Sequence, residues 1–187
     1  MNIKYNQDIP GYSSYDECKK ICNTINDYEC NSILEAGSFT GKLTWCLCKT
    51  FNNKLITALD KWDGLSEIDR LGPDYHTSNK RDPRYLGKTN TLETFNSFNQ
   101  HDNLITFKDD FLNYNVYHDI IILSIDGDEI IWSDIFDHAI SLNPKLIIGR
   151  HGHPHRPYIL NYLDLYEIEQ YDPRLGTCII KNKKGIQ

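Results

Sequence analysis

Asn31–Asp60, NSILEAGSFTGKLTWCLCKTFNNKLITALD, is the segment that decides the fold of this 187-residue chain. A short apolar run, Ser32–Glu35, leads into a loop whose two glycines are four residues apart, and a stretch of helical length, Lys42–Phe51, follows. A second apolar run, Leu55–Leu59, closes the segment. This order predicts a strand, a glycine loop, a helix and a second strand. A ligand of such a unit meets the unpaired N–H groups at the start of the helix.

Each of the two predicted strands ends in a carboxylate, Glu35 after the first and Asp60 after the second. A carboxylate at the end of the second strand suits a ribose, which offers two adjacent hydroxyl donors. The segment therefore predicts a ligand that contains a nucleoside. A nicotinamide-dependent oxidoreductase is disfavoured, because the loop has glycines only at positions 37 and 41 and lacks the G-x-G-x-x-G series.

Beyond this segment, apolar runs continue to alternate with helical patterns. The run Asp119–Ile125 is uninterrupted, which is typical of a parallel strand covered on both faces. The runs Leu165–Gln170 and Thr177–Lys181 predict a closing hairpin. Strands that alternate with helices predict an α/β sheet whose ligands lie at the carboxyl ends of the strands. We expect residues 1–187 to form a single domain.

Two regions flank or interrupt this pattern. Residues 1–30 predict an arm and a helix over Tyr15–Ile25, with Ser14 as its cap and Glu17 three residues later, as in a capping box. We assign no chemistry to this helix. Residues 61–88 hold several glycines and prolines, few apolar residues, and are too long for a routine connection. They predict a lid or an acceptor-binding loop, with a solvated insertion as the alternative.

Composition narrows the choice of partners. The net charge of −6 makes nucleic acid an unfavourable partner, since phosphate contacts favour a basic face. No apolar run reaches the roughly 20 residues of a membrane span, and the first ten residues lack the apolar core of a signal peptide. We therefore expect a cytoplasmic protein with no membrane partner, whose six cysteines are reduced thiols. The oligomeric state stays open, a homodimer included.

The chain resembles the class I S-adenosylmethionine-dependent methyltransferases, and most closely their small-molecule and sugar O-methyltransferase branch. The resemblance covers about residues 31–182, and four motifs in order carry it: ILEAGSFTGK, ITALDKWDG, TLETFNSFN…LITFKDDF and IIILSIDGDEIIWSDIFDHAISLNPKLIIG. The resemblance implies a Rossmann-like, doubly wound, mostly parallel seven-stranded sheet with an antiparallel last strand and helices on both faces. It also implies an S-adenosylmethionine cofactor and a small-molecule acceptor that is methylated on a hydroxyl group.

The same motifs imply a set of cofactor-binding residues. Their positions in this sequence are Glu35, Gly37, Ser38, Gly41, Asp60, Asp110 and Asp126. Glu35 and the two glycines would shape the methionine side of the pocket, and Asp60 would take the ribose hydroxyls. Asp110, rather than its neighbour Asp109, would meet the adenine amino group. A strand-end turn residue at Asp60 and a helix cap at Asp110 are the structural alternatives.

Methylation of a hydroxyl group needs a base or a metal to remove its proton. Five residues after the fourth and fifth predicted strands are suited to this role: Asp126, Asp128, His151, His153 and His155. We predict His151 as the catalytic base with Asp126 orienting it. Asp126, Asp128 and His151 are the predicted ligands of a divalent metal.

The loop after the fifth predicted strand departs from the family pattern, because Arg150-His151-Gly152 stands where carboxylates are usual. Histidine ligands suit zinc, iron, copper or nickel better than magnesium. Two alternatives remain open. The histidines could be exposed and inert, or the protein could be an S-adenosylmethionine- or nucleotide-binding module without transferase activity.

Overall fold

The computed structural model describes residues 1–11, 13–62, 91–124, 129–150, 162, 164–172 and 177–184. Four helices lie in these ranges: α1 (Tyr15–Asn26), α2 (Lys42–Thr50), α3 (Thr91–Phe98) and α4 (Glu129–Ser141). A single 3₁₀ turn covers Phe111–Asn113. Seven strands form the sheet: β1 (Ser32–Ala36), β2 (Leu55–Asp60), β3 (Leu104–Lys108), β4 (Ile120–Leu123), β5 (Leu146–Gly149), β6 (Tyr166–Asp172) and β7 (Thr177–Asn182).

The strands lie in the order β3-β2-β1-β4-β5-β7-β6. Strands β1 to β5 are parallel to one another, and β7 is antiparallel to both β5 and β6. This confirms the predicted seven-stranded, mostly parallel sheet with an antiparallel last strand. The direction of winding reverses between β1 and β4, and ligands of such sheets bind beyond the carboxyl ends of the strands at that point.

Both faces of the sheet are covered, because successive residues of a strand point to opposite sides. Ile33 of β1 belongs to the core under α1 and α2, whereas the adjacent Leu34 belongs to the core under α4. Helix α3 packs on the α1 and α2 side, where Phe95 meets Ala58 of β2. This double burial explains why the central strands are apolar without alternation, and it confirms the prediction of helices on both faces.

The N-terminal arm packs against the glycine loop. Ile9 is fully buried, and the Thr40 hydroxyl donates a hydrogen bond to the Pro10 carbonyl oxygen. Ser14 caps α1 as predicted, since its hydroxyl accepts a hydrogen bond from the Glu17 N–H at 3.1 Å. The predicted lid at 61–88 lies outside the described residues, apart from Lys61 and Trp62. Among the helices that are described, none is both long enough and apolar enough to cross a membrane.

Candidate functional site

The glycine loop between β1 and α2 folds back over the end of β2. Gly37 and Gly41 have left-handed φ angles of 88° and 79°, which glycine adopts without the steric cost that other residues meet. The Gly37 N–H donates to the Leu59 carbonyl oxygen at 2.8 Å, and the Gly41 N–H donates to the Ser38 carbonyl oxygen at 2.8 Å. Ser38 is buried, and its hydroxyl donates to the Glu35 carbonyl oxygen at 3.0 Å. These bonds hold the predicted loop residues at the end of β2.

Asp60 joins this loop to β2 through a closed set of hydrogen bonds. One carboxylate oxygen accepts the Phe39 N–H at 2.7 Å, and the other accepts the Trp62 N–H at 2.8 Å. The Trp62 indole N–H in turn donates to the Phe39 carbonyl oxygen at 2.7 Å. We call these three residues, Phe39, Asp60 and Trp62, the Asp60 clamp. A carboxylate has about four acceptor positions, and these two backbone donors occupy two of them.

Helix α3 forms the wall beside Gly41. The rings of Trp62 and Phe95 pack with centroids 5.0 Å apart. The Asn99 side-chain N–H donates to the Phe95 carbonyl oxygen at 3.1 Å, while no described residue donates to the Asn99 carboxamide oxygen. Asn99 is only 6% exposed, and a buried acceptor without a donor is costly. This unpaired oxygen beside the loop fits a ligand that brings hydroxyl or amino donors, as S-adenosylmethionine does.

A buried ionic network lies at the carboxyl ends of β1, β4 and β5. Arg150, which is 3% exposed, donates to both carboxylate oxygens of Glu17 at 2.9 and 3.0 Å. It also donates to the hydroxyls of Ser124 and Ser13, each at 2.8 Å. Its nearest nitrogen lies 3.8 Å from a carboxylate oxygen of Glu35. The network ties α1 to three neighbouring strands where the direction of winding reverses.

Sequence reasoning missed this network, because it assigned Glu17 to a capping box and gave α1 no chemistry. In the structure the Glu17 N–H donates to the Ser14 hydroxyl that caps α1, while the Glu17 carboxylate is buried against Arg150. One signal was present in the sequence. Glu17 precedes Ile21 and Ile25 at helical spacing of four, so it stands on the apolar stripe of α1. A carboxylate at such a position needs a buried cationic partner.

Glu35, a predicted cofactor residue, is 1% exposed. Its carboxylate accepts a hydrogen bond from the Thr44 hydroxyl of α2 and faces Arg150. Burial raises the pKa of Glu35 to about 7, although the positive charge of Arg150 and the Thr44 hydrogen bond act in the opposite direction. The structure thus places Glu35 behind the glycine loop, in the network that supports it.

The raised pKa of Glu35 predicts a stability that falls as the pH rises from the acid to the neutral range. A free glutamate has a pKa of 4.5, so the folded state holds this proton more tightly than the unfolded state. The resulting stabilisation is fully present below about pH 4.5 and is lost as the pH rises through about 7, and linkage gives a loss of about 2–3 kcal/mol between pH 5 and pH 8. Urea unfolding at several pH values measures it. Glu35→Gln, which cannot ionise, should show a flatter profile over this range, and a slope identical to that of wild type would contradict the prediction.

Asp110 lies at the same edge of the sheet as Asp60. It caps the 3₁₀ turn, since its carboxylate accepts the Leu112 N–H at 3.0 Å, and it forms an ion pair of 2.6 Å with Lys61. Burial alone would raise the pKa of Asp110, but these two partners together lower it. The neighbouring Asp109 donates its N–H to the Asp60 carbonyl oxygen at 3.1 Å. The structure therefore brings Asp110 and Asp60 to adjacent strand ends, while adenine recognition by Asp110 stays a prediction.

The remaining predicted site residues lie outside the described part of the chain. They are Asp126, Asp128, His151, His153 and His155. Within the described part, no group of three or more His, Cys, Asp or Glu side chains is arranged to hold a metal ion. The catalytic pair His151 and Asp126 and the divalent metal therefore stay predictions from the sequence.

Several solved structures with the same fold are methyltransferases of different kinds. The ribosomal protein L11 methylase of Lactobacillus delbrueckii subsp. bulgaricus matches with a TM-score of 0.62 and 14% identity, over 97% of this chain and 85% of that one. The calicheamicin methyltransferase CalS11 matches with a TM-score of 0.54 and 12% identity, over 88% and 76%. The S-adenosylmethionine-dependent methyltransferase SibL matches with a TM-score of 0.55 and 9% identity, over 89% of this chain and 54% of SibL. No protein-family model matches the sequence, and no curated protein matches it.

The fold is therefore that of the class I S-adenosylmethionine-dependent methyltransferases. At 9–14% identity these likenesses concern the fold alone. A shared fold does not by itself determine a function.

Proposed function

We propose that this protein is an S-adenosylmethionine-dependent methyltransferase that acts on a hydroxyl group of a small molecule or sugar. The observation that carries the proposal is the 2.7 Å hydrogen bond between the Phe39 N–H and the Asp60 carboxylate. It joins the glycine loop and the strand-end acid into one unit at the edge where this fold binds its ligands. The small-molecule acceptor and a cytoplasmic location belong to the proposal and rest on the sequence.

In this proposal the cofactor supplies an electrophilic methyl group on a sulfonium. A base would take the proton of the acceptor hydroxyl, and the sequence suggests His151 for this role with Asp126 orienting it. The described residues would bind and orient the cofactor. Asp60 would accept hydrogen bonds from the ribose hydroxyls, and the Asn99 carboxamide oxygen would accept one from a further donor of the ligand. Precise alignment of this kind contributes up to about 7–11 kcal/mol to a transfer reaction.

Isothermal titration calorimetry with S-adenosylmethionine and S-adenosylhomocysteine tests the proposal directly. Wild type should bind both ligands, and Asp60→Ala should weaken binding tenfold or more, about 1.4 kcal/mol, because the diol loses its acceptor. Asp102→Ala is a matched control, since Asp102 is an exposed aspartate of the α3–β3 connection. Its affinity should equal that of wild type.

Two results would count against the proposal. Wild-type protein that is folded by circular dichroism and binds neither ligand would remove the cofactor assignment. Equal affinities of Asp60→Ala and wild type would remove the ribose assignment.

The alternative is a binding module without transferase activity. It is favoured by the sequence after β5, where Arg150-His151-Gly152 replaces the carboxylates that are usual in the family. Arg150 itself is bound to Glu17, Ser13 and Ser124 inside the protein. Turnover of methyl-labelled cofactor separates the two functions. The acceptor panel should include sugars, phenols and proteins, since one protein with this fold is a ribosomal protein methylase.

A further inference from the structure

One end of the sheet has an unpaired edge. Strand β3 is the last strand at that end, and no described strand lies beyond it. The Asp109 N–H, just after β3, donates to the Asp60 carbonyl oxygen of β2 at 3.1 Å. Successive residues of a strand direct their N–H and C=O groups to opposite sides, so Leu104, Thr106 and Lys108 direct theirs away from β2. An edge of this kind is a template for pairing with another strand.

The opposite end of the sheet is protected more strongly. Edge strand β6 has a bulge between Ile168 and Gln170, and it carries the exposed residues Glu167 and Glu169. Bulges and charges are the usual means by which proteins prevent edge strands from pairing. Strand β3 pairs with β2 in one unbroken register and has a single charged residue, Lys108, at its end. The β3 edge therefore keeps the regular geometry that a further strand needs.

The face of β3 on the α4 side is also uncovered. Ile105 and Phe107 point to this side, because Phe107 pairs in register with Leu59, which belongs to the core under α4. They are nevertheless 44% and 41% exposed. The connection from β3 to β4, which the structure describes throughout, contains only the 3₁₀ turn Phe111–Asn113, although a helix usually joins parallel strands. Two apolar side chains are therefore left in solvent beside the open edge.

We propose that this edge pairs with the same edge of a second copy of the chain, antiparallel about a two-fold axis, and that the protein is a homodimer with one continuous sheet. A two-fold contact requires a self-complementary strand. With Thr106 on the axis, each Thr106 exchanges N–H and C=O hydrogen bonds with Thr106 of the other copy. The Lys108 N–H donates to the Leu104 carbonyl oxygen of the other copy. All of these groups belong to the set that points away from β2.

The same register matches the apolar side chains. Ile105 of each copy lies opposite Phe107 of the other on the α4 side, and such cross-strand pairs of aromatic and β-branched residues stabilise sheets. A register two residues away in either direction sets Phe107 opposite Asn103, or Ile105 opposite Asp109. Of these three registers, the one centred on Thr106 alone pairs both apolar residues with apolar residues.

Charge supports this register on the opposite face of the strand. Lys108 lies opposite Leu104 of the other copy and diagonally opposite Asp102, and both Lys108 and Asp102 are exposed. Diagonal neighbours are about 7–8 Å apart, which is within reach of a long side chain. The two-fold axis forms this pair of opposite charges twice. A second copy is thus complementary to the edge in backbone groups, in apolar contacts and in charge.

Analytical ultracentrifugation of the wild-type chain and two variants at Thr106 tests the proposal. Small interfaces are weak, so wild type should pass from monomer to dimer between about 1 and 200 μM. Thr106→Pro should stay monomeric over this range, because proline removes the outward N–H, and an edge position of this kind tolerates proline in the folded monomer. Thr106→Val keeps the N–H and should dimerise like wild type.

A charge exchange tests the register and does not depend on the folding of Thr106→Pro. Lys108→Glu and Asp102→Lys should each raise the dissociation constant of the dimer at least about threefold, because each sets like charges against one another. The double variant restores opposite charges, and its dissociation constant should lie within about twofold of the wild-type value. Circular dichroism and thermal unfolding establish that each variant is folded.

Three results would overturn the inference. Wild-type protein that stays monomeric at about 200 μM would leave the edge to a partner of another kind. A dimer of unchanged affinity in folded Thr106→Pro would place the contact elsewhere on the molecule. Losses in the two charge variants that simply add in the double variant would exclude the register. Failure of the proposed function would leave the dimer intact, since no part of the contact involves a ligand.

Discussion

Arg150→Leu should lower the free energy of unfolding by about 3–5 kcal/mol, the usual effect of removing one partner of a buried ion pair. The substitution leaves the carboxylates of Glu17 and Glu35, which are 6% and 1% exposed, without their guanidinium. It also removes the donor to the Ser124 hydroxyl. Urea unfolding followed by tryptophan fluorescence measures the change.

A double-mutant cycle separates the ion pair from general packing. Arg150→Leu combined with Glu17→Leu should lose less stability than the sum of the two single changes, because the double variant no longer buries the Glu17 charge. Lys61→Ala is the matched control. It breaks an ion pair of 2.6 Å between an exposed lysine and a half-buried aspartate, and pairs near the surface contribute about 0–1 kcal/mol. A loss below about 1 kcal/mol in Arg150→Leu would show that the network does not support the fold.

Gly41→Ala should cost about 2–5 kcal/mol of unfolding free energy. The left-handed backbone, with φ of 79°, accounts for about 1–2 kcal/mol, and crowding adds about 1–3 kcal/mol. An alanine Cβ would lie 2.2 Å from the Asn99 side-chain nitrogen and 2.5 Å from the Phe95 ring. Thermal and urea unfolding of the variant measure the loss.

The clash is tested by removing its nearest contact. Gly41→Ala combined with Asn99→Ala should recover part of the lost stability, with a coupling of at least about 0.5 kcal/mol. Strictly additive losses would mean that the contact with Asn99 does not cause the effect. The prediction also explains why the loop ends in glycine: α3 packs directly against its backbone, and a side chain would push that wall away from the loop.

Much of the fold was predictable because its signals are local. The uninterrupted apolar run that contains β4 predicted a strand covered on both sides, and Ser14 marked the start of α1, as the structure confirms. The closing hairpin was visible as two runs separated by a turn. Each of these signals depends on residue periodicity or on capping within a few positions.

The site was predictable only in part. The sequence indicated that Asp60 and the glycine loop would serve one ligand, since both follow parallel strands that end at one edge of the sheet. It did not indicate that Asp60 would bind the backbone of Phe39 and Trp62, nor that Asn99 would be buried with an unpaired oxygen. Glu35 was expected to shape the pocket, yet its burial and its raised pKa depend on neighbours contributed by α2 and β5.

The sequence by itself determined the order of strands and helices, the faces that they bury and the position of Asp60 at the end of β2. These follow from periodicity and from short-range backbone chemistry. Only the tertiary structure decided the pairing of Glu17 with Arg150 across 133 residues and the left-handed conformation of Phe39. Both depend on groups that approach one another only after α1, β1, β2 and β5 have packed, and no local preference encodes that approach.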